Sequence, residues 1–324
     1  MNQIMMSKEI LMNQARKLDF KPENYEKVYK LLFVLEQFMT IPYLKDRLVL
    51  KGGTALNLFH FDTVPRLSVD IDLNYIGHTE RVIMLEEKIL IEGAIERILI
   101  QNQFEQQRAP TQHAGGKSIW KYDSALGQKG NIEIDLNYMF RKPLWPIIEL
   151  KSKFYFSNSL KIPVLDLHEI AAGKLSALFG RRVSRDFFDA HYLLTKYNLN
   201  RIKLRETFVV YASCFNAPFE NISIDNIKYD IMDIRNKLFP VLRQKEISRK
   251  KSDIEKWANQ RLLELRESLS IILPFKKNEL DFIQLIRNVG EVKPELITND
   301  KSLSDAILVH PLVQWSALKA KNKK

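Results

Sequence analysis

The chain has 324 residues, 45% apolar and 10% aromatic, which is enough to fill one large core or two ordinary ones and excludes a disordered polymer. Its 50 basic and 39 acidic residues leave a formal charge of +11, which suits polyanionic partners such as nucleic acid, nucleotides or an anionic membrane, although many basic soluble proteins bind none of these. The one cysteine, Cys214, excludes an intrachain disulfide and a cysteine-based zinc site, and its setting reads as a helix interior holding an inert thiol. Met1 to Asp19 lacks the apolar run of a secretory signal, and no stretch reaches the roughly 18 apolar residues of a membrane span. A cytoplasmic protein is expected.

In chain order, Glu23 to Met39 carries apolar residues at helical spacing (Val28, Leu31, Leu32, Leu35, Phe38), and Pro42 ends it. Arg47 to Leu50 reads as a short strand, turned by Gly52-Gly53 into a helix beginning near Thr54. The next strand runs to Tyr75, and Thr79 is the expected N-cap of a long helix reaching about Phe104, with Glu80 in its first turn. Ser118 to Ser124 and Asn131 to Tyr138 read as two strands joined by a hairpin turn over Gly127 to Gly130. After Pro163 the pattern turns helical: Asp166 caps a helix through Phe179, followed by Ser184–Lys196, Lys203–Phe215, Asp225–Leu238, Ser252–Ile271 and Lys277–Val289. The expected division is therefore a mixed α/β sheet domain with an N-terminal helix over 1–165, then a helical domain over 166–324.

The chemistry concentrates where Lys51-Gly-Gly-Thr-Ala-Leu is followed by Arg66-Leu-Ser-Val-Asp-Ile-Asp-Leu73. Side chains on a strand alternate between faces, so Asp70 and Asp72 project together while Val69, Ile71 and Leu73 enter the core. Two such carboxylates repel unless they share a cation, and Mg²⁺ favours carboxylates combined with substrate phosphates. Polymerase-like enzymes use such ions to activate an attacking oxygen and stabilise a leaving one. Gly52 and Gly53 permit a close phosphate approach, and Thr54 offers a hydroxyl at the start of a helix. Phosphoryl or nucleotidyl transfer is the leading expectation.

In Asn131-Ile-Glu-Ile-Asp-Leu-Asn-Tyr138, Glu133 and Asp135 alternate with Ile132, Ile134 and Leu136. Either acid could complete a metal site or take the proton of an incoming hydroxyl; Asp135, central on the strand, is favoured. The plainer alternative is the polar outer face of a sheet. Farther on, Lys174 lies on the helix that carries Leu167, Ile170, Ala171, Leu175 and Leu178, and could reach a phosphate as a point charge. Arg181, Arg182 and Arg185 offer fork-shaped phosphate contacts, with Asp186 or Asp189 to orient Lys174 or an arginine. Arginine–aspartate salt bridges at a helix junction are the alternative. Gly115-Gly116-Lys117-Ser118 mimics the end of a phosphate loop, but Thr111 stands where the upstream glycine is required and a strand follows, so it is set aside. The six histidines show no zinc spacing, and no serine-hydrolase elbow is present.

Lys51–Leu56, Arg66–Leu73, and Ala172-Gly-Lys-Leu-Ser-Ala-Leu178 through Arg185-Asp-Phe-Phe-Asp189 carry a resemblance, together with a C-terminal signature over Phe282–Asp300 and His310–Trp315. On these blocks the chain resembles the AbiEii/AbiGii toxin family, nucleotidyltransferase-like toxins of type IV toxin–antitoxin systems to which the mycobacterial MenT toxins are related. The resemblance implies a polymerase-β-like nucleotidyltransferase fold with a helical C-terminal half. It implies Mg²⁺, with Mn²⁺ as a substitute, held by Asp70 and Asp72, with Lys174 as the functional lysine and Asp186 or Asp189 as the late catalytic aspartate; the strand reading adds Asp135, with Glu133 as its alternative, as the third metal ligand and base. It also implies a nucleoside triphosphate held by Gly53 and Thr54, Thr54 standing where many nucleotidyltransferases have serine; the expected nucleotide site further takes in Gly52, Arg66, Ser68, Lys174, Arg185 and Asp189. The expected acceptor is RNA, tRNA above all, with growth arrest as the outcome, a separately encoded antitoxin as partner and no membrane. The rival readings are transfer to a protein or small molecule, kinase-type phosphoryl transfer, and a nucleotide-binding regulatory module without transfer.

Overall fold

The structure, a computed structural model, describes residues 6–110, 115–154, 160–181, 183–215, 219, 222–246 and 250–322. It divides into two compact units, the first holding residues 1–141, 147–165 and 239–247, the second 142–146, 166–238 and 248–324.

The first unit opens with α1 (Lys8–Leu18) and α2 (Pro22–Met39). Pro22 stands at the first helical position of α2, where its missing N–H costs nothing. Val28, Leu31, Leu32, Leu35 and Phe38 are all buried, as their spacing requires. A turn of helix, α3 (Pro42–Lys45), leads into β1 (Leu48–Lys51), which runs directly into α4 (Gly52–Ala55) and a π-turn over Leu56–His60. Then come β2 (Asp70–Tyr75), α5 (Arg81–Gln101), β3 (Glu105–Arg108), β4 (Gly115–Asp123), β5 (Lys129–Asn137), β6 (Ile148–Leu150) and β7 (Ile162–Val164).

These strands form one seven-stranded sheet in the order β3-β4-β5-β2-β1-β7-β6. β2 is central, antiparallel to β1 and parallel to β5. The segment 239–247 belongs here because Leu67 N donates to Val241 O at 2.8 Å and Arg66 bridges Leu242. The buried Glu26 carboxylate accepts from Ser124 Oγ and Ala125 N, fixing the β4–β5 turn. α5 differs from expectation at its start. Glu80, not Thr79, precedes the helix, and no side chain caps it. The Thr79 carbonyl instead accepts two hydrogen bonds from Arg141, at 3.2 and 3.0 Å.

The second unit is helical: α6 (Leu167–Gly180), α7 (Ser184–Lys196), α8 (Arg201–Ser213), α9 (Ile231–Asp233), α10 (Lys251–Ser268), α11 (Lys277–Gln284), α12 (Lys301–Val309) and α13 (Pro311–Lys321). Asp166 caps α6 by accepting from His168 N at 2.9 Å, and α7 has its expected bounds. The stretch read as one helix over Asp225–Leu238 is broken. Asp230 accepts from Met232 N and Asp233 N, which starts a new helix at Ile231 that widens into a π-turn over Ile234–Leu238. The mixed α/β class is as expected. Among the described residues, no helix is long and apolar enough to cross a membrane.

Candidate active site

The first functional cluster is built around the β1–α4 turn. Lys51 pairs with Asp72 across β1 and β2, so the turn at Gly52 arrives directly beside that carboxylate. Gly52 has φ +71°, and a Cβ there would lie 2.2 Å from Asp72 Oδ2. A Cβ on Gly53 would lie 2.8 Å from both Arg66 Nη2 and Ser68 Oγ. The glycine pair therefore does more than turn the chain: it lets the backbone lie against Asp72, Arg66 and Ser68, leaving no space for a side chain.

Thr54 is fully buried and its hydroxyl donates to the Asp70 carbonyl. It thereby tethers α4 to the strand that carries the aspartates. Arg66 is also buried, 2% exposed, with Nη1 donating to Leu67 O at 2.9 Å.

On β2, Ile71 and Leu73 are fully buried while Asp70 and Asp72 are partly exposed, as period-two alternation demands. β5 runs parallel beside it with the same alternation. Asp70 stands in register with Glu133, and Asp72 with Asp135, so four carboxylates share one face of two adjacent strands. On the far side of β5, Lys117 of β4 is in register with Asp135, and its ammonium meets Glu133 Oε2 at 2.6 Å. Burial opposes the charge on Lys117. Its bond to Glu133 and the fields of Asp70, Glu133 and Asp72 outweigh that and raise its pKa above the usual lysine range.

Among the described residues, no three His, Cys, Asp or Glu side chains gather into a group that could hold a metal ion alone. Magnesium seldom needs one: it is usually bound by one or two carboxylates plus substrate phosphates and water. Asp70 and Asp72 supply such a donor pair, partly exposed and walled by a turn only glycine fits. The residues present thus fit Mg²⁺ or Mn²⁺, with Asp135 the next carboxylate along.

The second cluster lies at the α6–α7 junction. Lys174 Nζ is 3.0 Å from Asp186 Oδ1 and 2.8 Å from Asp189 Oδ2. Asp186 turns its other oxygen to Arg181 Nε at 2.8 Å. Lys174 is 9% exposed, Asp186 2% and Asp189 fully buried, whereas the Arg181 side chain is 64% exposed. Both candidate aspartates therefore hold the same lysine, and only the arginine projects into water. Arg185 is partly exposed on α7; Arg182 lies outside the described residues.

Two groups here escaped the sequence reading. Lys117 was set aside with the failed phosphate loop, because its strand, which begins at Gly115, was expected to start at Ser118. Glu169, on α6, is wholly buried and accepts from Leu144 N, Trp145 N and the Tyr211 hydroxyl. Burial pushes its pKa up to about 8. Lying beside Ile170 in an apolar helix, it gave no pattern signal.

Residues 34–264 match the family described as "Nucleotidyl transferase AbiEii toxin, Type IV TA system". No curated protein sequence matches the chain. Among solved structures, MenT4, a nucleotidyltransferase toxin from Mycobacterium tuberculosis H37Rv, is similar over 94% of this chain and 99% of its own. The TM-score is 0.57 at 15% sequence identity, a likeness of fold.

Proposed function

This chain belongs to the AbiEii family of nucleotidyltransferase toxins of type IV toxin–antitoxin systems, and from that footing we propose that it moves a nucleotide from a triphosphate onto RNA, with tRNA as the acceptor. The observation that carries this reading is the acid face: Asp70 and Asp72 beside Asp135 and Glu133, against a turn that admits only glycine. An acceptor hydroxyl attacks the α-phosphorus, the bond to pyrophosphate breaks, and the hydroxyl proton passes to a carboxylate. Asp135, in register with Asp72, is the residue we assign to that proton.

Bound Mg²⁺ would neutralise the charge developing on the phosphates. Asp70 and Asp72 would hold it, and Gly52 and Gly53 would let the triphosphate approach the backbone. Thr54 fixes β2 through the Asp70 carbonyl, and Arg66 and Ser68 fill the space beneath Gly53. Lys174 serves as a point charge for phosphate, oriented by Asp186 and Asp189, with Arg181 and Arg185 supporting it. The formal charge of +11 suits an RNA partner, whose affinity falls steeply with salt. The activity belongs in the cytoplasm, where it arrests growth and a separately encoded antitoxin counters it.

The test incubates purified protein with Mg²⁺, total tRNA and each α-labelled or γ-labelled triphosphate, then separates RNA, protein and small molecules. Label from the α position alone should appear on tRNA and vanish with Asp70→Ala. Label on protein or a small molecule would overturn the acceptor. Label from the γ position would make the reaction phosphoryl transfer, and no label anywhere would contradict transfer itself.

A further inference from the structure

The helix α5 is apolar on every side. Ile91, Ile95 and Ile98 are buried, yet Val82, Ile89 and Ile100 stand 68%, 74% and 57% exposed. A helix that is apolar all round belongs inside a larger body. At 3.6 residues per turn, Val82, Ile89 and Ile100 fall within about 20° of one another, on the side opposite Ile91. Gly93 lies in the same stripe, and a Cβ there would meet nothing closer than Arg97 Nη1 at 3.6 Å. Packing within the chain thus gives no reason for a glycine that weakens the helix, whereas a second backbone crossing close to it would.

We propose that this face of α5 packs against the same face of a second copy of the chain, the two helices antiparallel about a two-fold axis near Ile91. In such a pair every contact occurs twice with its residues exchanged, so the face must read alike from both ends. It does. Val82 and Ile100 lie nine residues to either side of Ile91, and Ile89 and Gly93 two to either side. Each Val82 then meets the Ile100 of the second copy, and each Ile89 falls on the Gly93 opposite. The charges agree. Glu86 and Arg97 are exposed on one flank of the stripe, three turns and about 16 Å apart along the axis, too far to pair within one helix. Antiparallel packing sets each Glu86 against the Arg97 of the second copy, whereas parallel packing would set Glu86 against Glu86. On that same flank Leu90 borders a hollow shared with Ile41 and Tyr43, which gives the apolar contact breadth beyond the helix itself.

The test is sedimentation equilibrium of the full chain across the micromolar range, with circular dichroism on each variant. Wild-type protein should be a dimer. Ile89→Glu, at an exposed position, should be a monomer of unchanged helix content. Glu86→Arg and Arg97→Glu should each weaken association about tenfold, since each turns two attractive pairs into repulsive ones. The double variant Glu86→Arg/Arg97→Glu should restore the dimer, a rescue that no folding defect produces and that two residues three turns apart on one helix cannot make alone. A wild-type monomer overturns the proposal and leaves the face to a different partner. A dimer that survives Ile89→Glu has its interface elsewhere and overturns it too. Charge reversals without effect, or a double variant no stronger than the single ones, overturn the antiparallel pairing.

Discussion

The acid face of the sheet and the Lys174 centre of the helical unit both bring aspartates together, and they do so in opposite ways. Asp70, Asp72, Glu133 and Asp135 stay partly exposed on one face of two adjacent strands, with Lys117 paired to Glu133. Asp186 and Asp189 are buried and share Lys174, with Arg181 on the outer oxygen, so two negative charges meet two positive ones. Carboxylates exposed at the surface can meet a cation or substrate from outside. Charge balanced inside is a structural joint whose parts must all be present. The first region should therefore be rich in function and poor in stability, and the second should carry both.

The largest test of that contrast is Lys174→Ala. It leaves two buried carboxylates facing each other, and breaking a buried ion pair costs about 3–5 kcal/mol. Denaturant unfolding should show this loss. Unchanged stability would break the comparison, because the centre would then be no joint.

A smaller effect lies in pH. Glu169 is held neutral by burial, with its pKa raised to about 8, so the folded state binds a proton that the unfolded state releases near the ordinary Glu value. That contribution is full below the unfolded pKa and is lost as pH rises from about 4.5 through 8. Stability should fall across this window, and Glu169→Gln should flatten the slope. An identical slope in the variant would remove Glu169 as its source. Asp166 works in the opposite sense. Burial would raise its pKa, but hydrogen bonds from His168 and Lys203 outweigh that and bring it to about 2, so its contribution disappears only in strong acid.

The two regions also differed in how far they could be read in advance. Asp-x-Asp between Val69, Ile71 and Leu73 states its own geometry, because a strand's period of two needs no tertiary information. The same holds for Glu133 and Asp135. What alternation leaves out is register: that Asp72 meets Asp135, or that Lys117 reaches Glu133, depends on strand order. The short strands β3, β6 and β7 were missed because three or four residues carry too little pattern. The helix α6 was legible from its Asp166 cap and apolar stripe, and α7 from its amphipathic spacing alone. Which aspartate served Lys174 was not, because both do, through a contact set by helix packing. Asp225–Leu238 went wrong for a local reason: Asp230 restarts the helix in mid-pattern.

The most direct measurement takes one preparation of Asp70→Ala and records both nucleotide transfer and thermal unfolding. Losing a ligand to a catalytic metal should cost several kcal/mol of transition-state stabilisation, roughly a thousandfold in rate. The unfolding temperature should stay level or rise, since one of several repelling carboxylates has gone. Transfer at the wild-type rate, or a fall in unfolding temperature like that of Lys174→Ala, would show that the acid face is part of the scaffold and that the chemistry lies elsewhere.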